Sequence, residues 1–382
     1  MGEMRVQRAS ADSFTARAPT AAWHSFDVQL AFYALALAVI GLVMAYTNSF
    51  GEPLSGGSTF TRGLIWFAVA IVVFTLAAGF DFRWLRTFAW ALYVVNIGLL
   101  VLTLAVGSGV GGVSRWIYIG PLQLQFSEVA KVLMIAVLAA YLAARRDSLG
   151  KLTTLVGAGV LMAPPFVLVL IQPDLGTSLV FAAVLIGMLF MAGVGLRWLG
   201  LAFALGLAAL PIGWSILADY QRRRLLSFLD PTADPLGAGF QVIQSQIAVA
   251  SGGMFGRGLT TGGGGAADLL PVATTDFSAA VMFAELGFLG GLVVFALFVG
   301  LIWRVLLVGW RSESVFGVAF AAGIASMLLF QLVVNGGMVL GIMPVTGIPF
   351  PFVTHGGSSL ISIALGLGIL QSINMRRSAR GW

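Results

Sequence analysis

Apolar residues in this chain arrive in long blocks separated by short polar or glycine-rich stretches, and inside the blocks they do not alternate with a period of two. A helix needs about 20 residues to cross the hydrocarbon core of a bilayer, and its backbone polar groups must be satisfied internally there. Each block therefore predicts a transmembrane helix. The blocks fall near 27–48, 61–79, 87–106, 127–144, 153–171, 177–194, 198–217, 277–305, 315–340 and 358–375. A membrane barrel would need period-two alternation, which is missing. The expected architecture is an all-α polytopic membrane protein of about ten transmembrane helices.

Composition agrees with the pattern. The 382 residues are 59% hydrophobic and 9% charged, with a mean hydropathy of +0.98, beyond the range of ordinary soluble domains. An even number of spans places both termini on one side. Arg5, Arg8 and Arg17, with Arg83, Arg86, Arg145, Arg146, Lys151, Arg197, Arg304, Arg311, Arg376, Arg377 and Arg380, fall in the termini and alternate loops, marking that side as cytoplasmic. The net charge of +6 thus reflects topology and gives no reason to invoke nucleic acid. With no cysteine, disulfides, thiolate metal sites and cysteine nucleophiles are excluded. The first 26 residues hold no apolar core ahead of the first span, so that span is expected to direct insertion.

The domain organisation follows: a cytoplasmic segment 1–26, a membrane domain 27–375 and a tail 376–382. Longer segments on the other face, near 107–126, 171–177, 218–276 and 341–357, are rich in Gly, Pro and polar residues, so chemistry is expected outside. The 218–276 loop far exceeds an ordinary connection, and its stretch Phe240 to Ala250 reads as helical.

Ionisable groups near a bilayer are functional candidates by default. Glu128 and Lys131 stand three residues apart on one helix face, as a structural ion pair or as a polar floor under a charged substrate. Asp276 opens the eighth span, where it would either cap the helix or act as a general base. Glu285, about two and a half turns further on, should face away from it. Asp174 has the position of a cap. Arg222, Arg223 and Arg224 form a basic cluster on the outer side, suited to lipid head groups or to a diphosphate. Gly107 to Gly112 follows a helix where a dinucleotide fingerprint needs a strand. Gly262 to Gly265 reads as a hinge, and His355 as a turn or lining residue.

Seven stretches together resemble the SEDS family (shape, elongation, division and sporulation). They are Ser114-Arg115-Trp116-Ile117 with Gly120; Gln125 to Lys131; Gln172 to Thr177; Phe228 to Pro231 with Gly239-Phe240-Gln241; Ser251-Gly252-Gly253 through Gly258-Leu259; Thr275-Asp276-Phe277; and Pro344 to Pro349 continuing to Gly356-Gly357-Ser358-Ser359. The Pro344 to Pro349 stretch looks more like the elongation branch than the division branch.

The resemblance implies a peptidoglycan glycosyltransferase that joins lipid II units onto a growing glycan strand and releases undecaprenyl diphosphate. It implies a bacterial cytoplasmic membrane location with the active site facing outside. Asp276 matches the family's proposed catalytic aspartate. Arg115, Glu128, Lys131, Gln172, Asp174, Arg222, Arg223, Glu285 and Ser358 are the substrate-binding candidates. A divalent cation, Mg²⁺ or Mn²⁺, is conceivable at the diphosphate, with no ligand set readable from sequence. The implied partners are a class B penicillin-binding protein and other membrane proteins of the elongation or division machinery. The chain departs from the family at Val272 (usually Glu), Thr274 (often His), Phe126 (usually Pro) and His355 (commonly Tyr). A flippase for the same lipid-linked precursor and a scaffold without chemistry remain alternative readings.

Overall fold

The computed structural model describes residues 23–49, 54–55, 58–107, 115–119, 122–216, 219–230, 238–259, 276–354 and 356–376. The segment 1–22, most of the tail, Val272, Thr274, His355 and the glycine run 262–265 lie outside the described residues. The chain is nearly all helical: α1 Val28–Thr47, α2 Thr59–Gly79, the short α3 Arg83–Thr87, α4 Ala89–Val106, α5 Phe126–Ala144, α6 Leu152–Ile171, α7 Leu175–Met191 and α8 Leu196–Ile216. Then come α9 Asp219–Leu229, α10 Ala238–Ser251, α11 Ser278–Trp310, α12 Val315–Val339 and α13 Gly357–Met375.

Eight of these, α1, α2, α4, α5, α6, α11, α12 and α13, are long and apolar enough to cross a membrane, and two shorter apolar helices stand where the sixth and seventh spans were expected. The stretch Phe240 to Ala250 lies inside α10. Not foreseen was a small antiparallel hairpin, β1 Ile117–Ile119 with β2 Leu122–Leu124, pairing Ile117 with Leu124.

Helix starts follow from polar caps at the block edges. Asp27 accepts from Leu30 N, Ser58 from Thr61 N, and Ser314 from Gly317 N, each at 3.0 Å, satisfying amides that otherwise have no intrahelical partner. The eighth block runs five residues past its expected end because Arg304 does not terminate it. Arg304 stays in α11 with its guanidinium on Asp27, at 2.5 Å, so the charge is neutralised within the bundle.

Three helices form the centre. Most of α5, α12 and α13 is buried, whereas α2 and α4 bury 11% and 17% of their apolar windows and turn the rest outward. With hydrocarbon as solvent, that outward apolar surface is the expected state of peripheral helices. α12 packs on α11, α7 and α5, while α13 packs on α2 and α5.

Helix α11 is broken at Gly287, whose φ of 68° and ψ of −171° are not helical. The turn after α10 fills the break. Arg257 N and Gly258 N donate to the carbonyls of Ala284 and Glu285, and Phe288 N and Leu289 N donate to Gly253 and Met254. A Cβ at 287 would lie 2.1 Å from Gly256 N, so only glycine permits the approach.

Candidate active site

Segments far apart in sequence converge at one end of the bundle. Arg115 leads into β1, Gln172 to Asp174 join α6 to α7, Gln221 and Arg224 sit on α9, and Pro344 to Thr346 belong to the return before α13. Arg115, Pro173, Leu175, Gln221, Arg224, Leu225 and Pro344 to Thr346 line a narrow cleft. Helical spacing puts Gln221, Arg224 and Leu225 on one face of α9. At Gly176 a Cβ would lie 2.6 Å from Thr346 O, so the absence of a side chain there lets the return reach the α7 terminus.

Asp276 immediately precedes α11. The cap residue of that helix is Phe277, with no side-chain cap bond, so the capping reading of Asp276 does not hold. Its side chain is partly accessible but packed by protein on most sides. Burial pushes the carboxyl above its ordinary range, Arg224 pulls it down, Asp174 raises it and Arg115 lowers it again. The main chain is fixed separately: Asn335 Nδ2, on α12, donates to Asp276 O at 3.0 Å and to Ile348 O at 2.6 Å. Two residues on, the Ser278 and Thr354 hydroxyls bond each other at 2.8 Å.

The polar residues behind this end form one network. Gln172 Nε2 donates to Leu100 O at 2.9 Å, and Gln172 O accepts from Arg115 Nε at 3.0 Å. Asp174 caps α7 by accepting from Thr177 N at 3.1 Å. Its other oxygen accepts from Thr177 Oγ1 and from Gln125 Nε2. Gln125 N donates to Ser358 Oγ at 2.9 Å. Arg115, Gln172, Asp174 and Ser358 thus belong to one assembly, of which Arg115 and Asp174 are charged neighbours of Asp276.

The other candidates are held by contacts of their own. Glu128 and Lys131 pair at 2.7 Å, 2% and 1% exposed, enclosed between helices. Glu285 is buried and bonds the Thr47 side chain; it is not among the charged neighbours of Asp276. Arg222 donates to the carbonyls of Trp214 and Ser215 at the end of α8, at 3.1 and 2.8 Å. The side chain of Arg223 lies outside the described residues. Of the basic cluster it is Arg224 that stands beside Asp276, a choice set by the roll of α9 that its sequence does not show. Asn335 carried no signal, being one amide inside an apolar block.

A bundle with eight described helices long and apolar enough to cross a membrane, and an acid with two arginines among its charged neighbours at one end, is a multi-pass membrane protein with a polar site. Residues 28–379 match the FtsW/RodA/SpoVE family, described as cell cycle protein, and the chain belongs to that family. Peptidoglycan glycosyltransferase MrdB of Escherichia coli K12 is 40% identical over 312 residues, covering 81% of this chain and 84% of MrdB. A chain from the structure described as structural coordination of polymerization and crosslinking by a peptidoglycan synthase complex superposes with a TM-score of 0.79. It is 31% identical and covers 93% of this chain and 99% of that one. Thermus thermophilus rod shape determining protein RodA superposes at 0.70, with 28% identity and 93% and 98% coverage.

Proposed function

We propose that Asp276 is the general base of this chain, a peptidoglycan glycosyltransferase that polymerises lipid II. The observation that carries the assignment is a carboxylate that caps no helix and has as charged neighbours Arg224 and Arg115, two residues that line the cleft. Its carboxylate takes the proton of the acceptor sugar hydroxyl as that oxygen attacks the donor's anomeric carbon. The bond from that carbon to the diphosphate breaks with inversion, and the electron pair leaves on the phosphate oxygen. Undecaprenyl diphosphate departs. Arg115 and Arg224 supply fixed positive charge where the leaving group develops its negative charge.

A narrow apolar groove between α1, α2 and the start of α13 includes Leu42, Trp66, Phe67 and Leu360, with Thr354 also on its lining. Thr354 bonds Ser278, so an isoprenoid tail laid there would bring its diphosphate toward Asp276. The arginine-rich end faces the cytoplasm by the positive-inside rule, which puts the cleft on the outer face of the bacterial cytoplasmic membrane. A class B penicillin-binding protein is the proposed partner, in line with a structural relative described as part of a peptidoglycan synthase complex.

Among the described residues no three His, Asp or Glu side chains converge. A Mg²⁺ or Mn²⁺ ion would therefore take most ligands from the diphosphate and water, with Asp276 adding a carboxylate; both oxygens of Asp174 are already bonded within the protein. Such an ion would add to the neutralisation of the leaving diphosphate.

The test is polymerisation of lipid II by the purified protein, with and without the partner. Glycan strands that vanish with Asp276→Asn support the assignment; undiminished polymer removes it. Transport of lipid II across vesicles without polymer would restore the flippase reading.

A further inference from the structure

A third concavity, of about 600 Å³, opens at the opposite end of the bundle, between α3, the α11–α12 turn and the end of α13. Its floor is apolar: Phe82 stacks on Phe316 with ring centroids 5.7 Å apart, and Ile373 lies alongside. Its walls carry Arg83, Arg86 and Arg376 against a single carboxylate, Glu313.

Arg376 is committed to structure, donating to the carbonyls of Ala78 and Gly79 at the end of α2 and to Ser372 Oγ. Arg83 and Arg86 are exposed, and neither forms a salt bridge among the described residues. Positive-inside bias accounts for basic residues at this end. It does not account for a cavity with an aromatic floor between them.

The depth of the concavity in the bilayer is marked by aromatics. Trp84 and Phe88, on either flank of Arg86, stack at 5.6 Å and are 53% and 52% exposed, while Trp310 at the end of α11 is 84% exposed. Exposed aromatics of this kind sit at head-group level. Uncompensated guanidiniums three residues apart, an apolar floor and that depth match the phosphodiester and upper acyl chain of an anionic lipid better than a water-borne acidic peptide.

We propose that this concavity is a binding site for an anionic phospholipid, with Arg83 and Arg86 on the head-group phosphate and Phe82 and Phe316 under the first acyl carbons. The leaflet is the cytoplasmic one, given the orientation proposed above. The site is separate from the cleft at Asp276, so its occupancy is read without reference to polymerisation.

The experiment is native mass spectrometry of the full chain titrated with cardiolipin, phosphatidylglycerol or phosphatidylcholine. Anionic lipid should bind the wild type more tightly than phosphatidylcholine. The double variant Arg83→Gln/Arg86→Gln should lose about thirtyfold in apparent affinity for anionic lipid, in keeping with two basic residues at about 1 kcal/mol each near a charged surface. Arg145→Gln/Arg146→Gln, at a basic turn that does not line this cavity, should lose little, and thermal midpoints should match for both variants. Equal loss in the two variants, no loss in the first, or displacement of bound lipid by an acidic peptide at equal concentration would each overturn the proposal.

Discussion

Asp276 and Arg224 meet over the backbone of Gly347: the point where a Cβ would stand at 347 is 3.6 Å from Asp276 Oδ2 and 3.6 Å from Arg224 Nη1. Gly347 has a φ of +75°, so the tight return that leaves this space open also depends on glycine. The cation is thereby held close enough to act on the acid.

The first prediction follows from that proximity. Burial raises the Asp276 pKa and Arg224 opposes the rise, so the acidic limb of the rate profile should lie above the usual aspartate value of about 3.9. Arg224→Gln should move it further up, because the ionised form loses its main counter-charge. Initial rates of lipid II polymerisation against pH would measure this. An unmoved limb would mean that Arg224 does not tune the base.

Stability should show the same shift with a defined sign. A carboxyl whose folded pKa is raised favours the native state most when protonated, and that contribution is lost as pH rises through the folded value. Asp276→Asn, neutral throughout, should therefore be more heat-stable than the wild type at neutral pH, with the gap closing near pH 4, about the unfolded aspartate value. Thermal midpoints of the detergent-solubilised pair from pH 4 to 8 provide the check, and a constant gap would count against burial as the cause.

Glu128 and Lys131 make a different case, because both are almost fully enclosed. Removing one partner leaves a buried charge, so Lys131→Met should destabilise by about 3–5 kcal/mol. Adding Glu128→Gln should restore part of the loss. A denaturant titration of the two variants tests this, and a double variant no better than the single one would show that pairing is not the reason.

Gly287 sits in a region of backbone space that only glycine occupies comfortably. Gly287→Ala should cost at least about 1–3 kcal/mol in strain alone, with the contact to Gly256 N added. The turn 253–258 would lose its seat. Faster amide hydrogen exchange at Arg257, Gly258, Phe288 and Leu289 than in the wild type would register it, whereas unchanged exchange would refute the role given to the break.

Hydropathy blocks made the bundle readable because a bilayer leaves the backbone few options: 20 apolar residues in lipid must be helical whatever their neighbours do. Asp174 as a cap was equally local, since a cap needs only the three residues that follow it. The motif stretches brought Arg115, Gln172, Asp174, Asp276 and Ser358 into view as candidates, and the structure links Arg115, Gln172, Asp174 and Ser358 through hydrogen bonds and main chain, with Asp276 sensing the charges of Arg115 and Asp174. Other features depended on approaches between segments distant in the chain. Whether Arg222 or Arg224 reaches Asp276 turns on the roll of α9; whether Asp276 caps α11 turns on where Asn335 holds its carbonyl. The break at Gly287 exists because the 253–258 turn supplies its hydrogen bonds. Element identity was set by short-range constraint and the apolar solvent, which one strand of text contains. Which charges meet, and which helix opens, was decided only when remote backbones came within bonding distance, and spacing along the chain carries no measure of that.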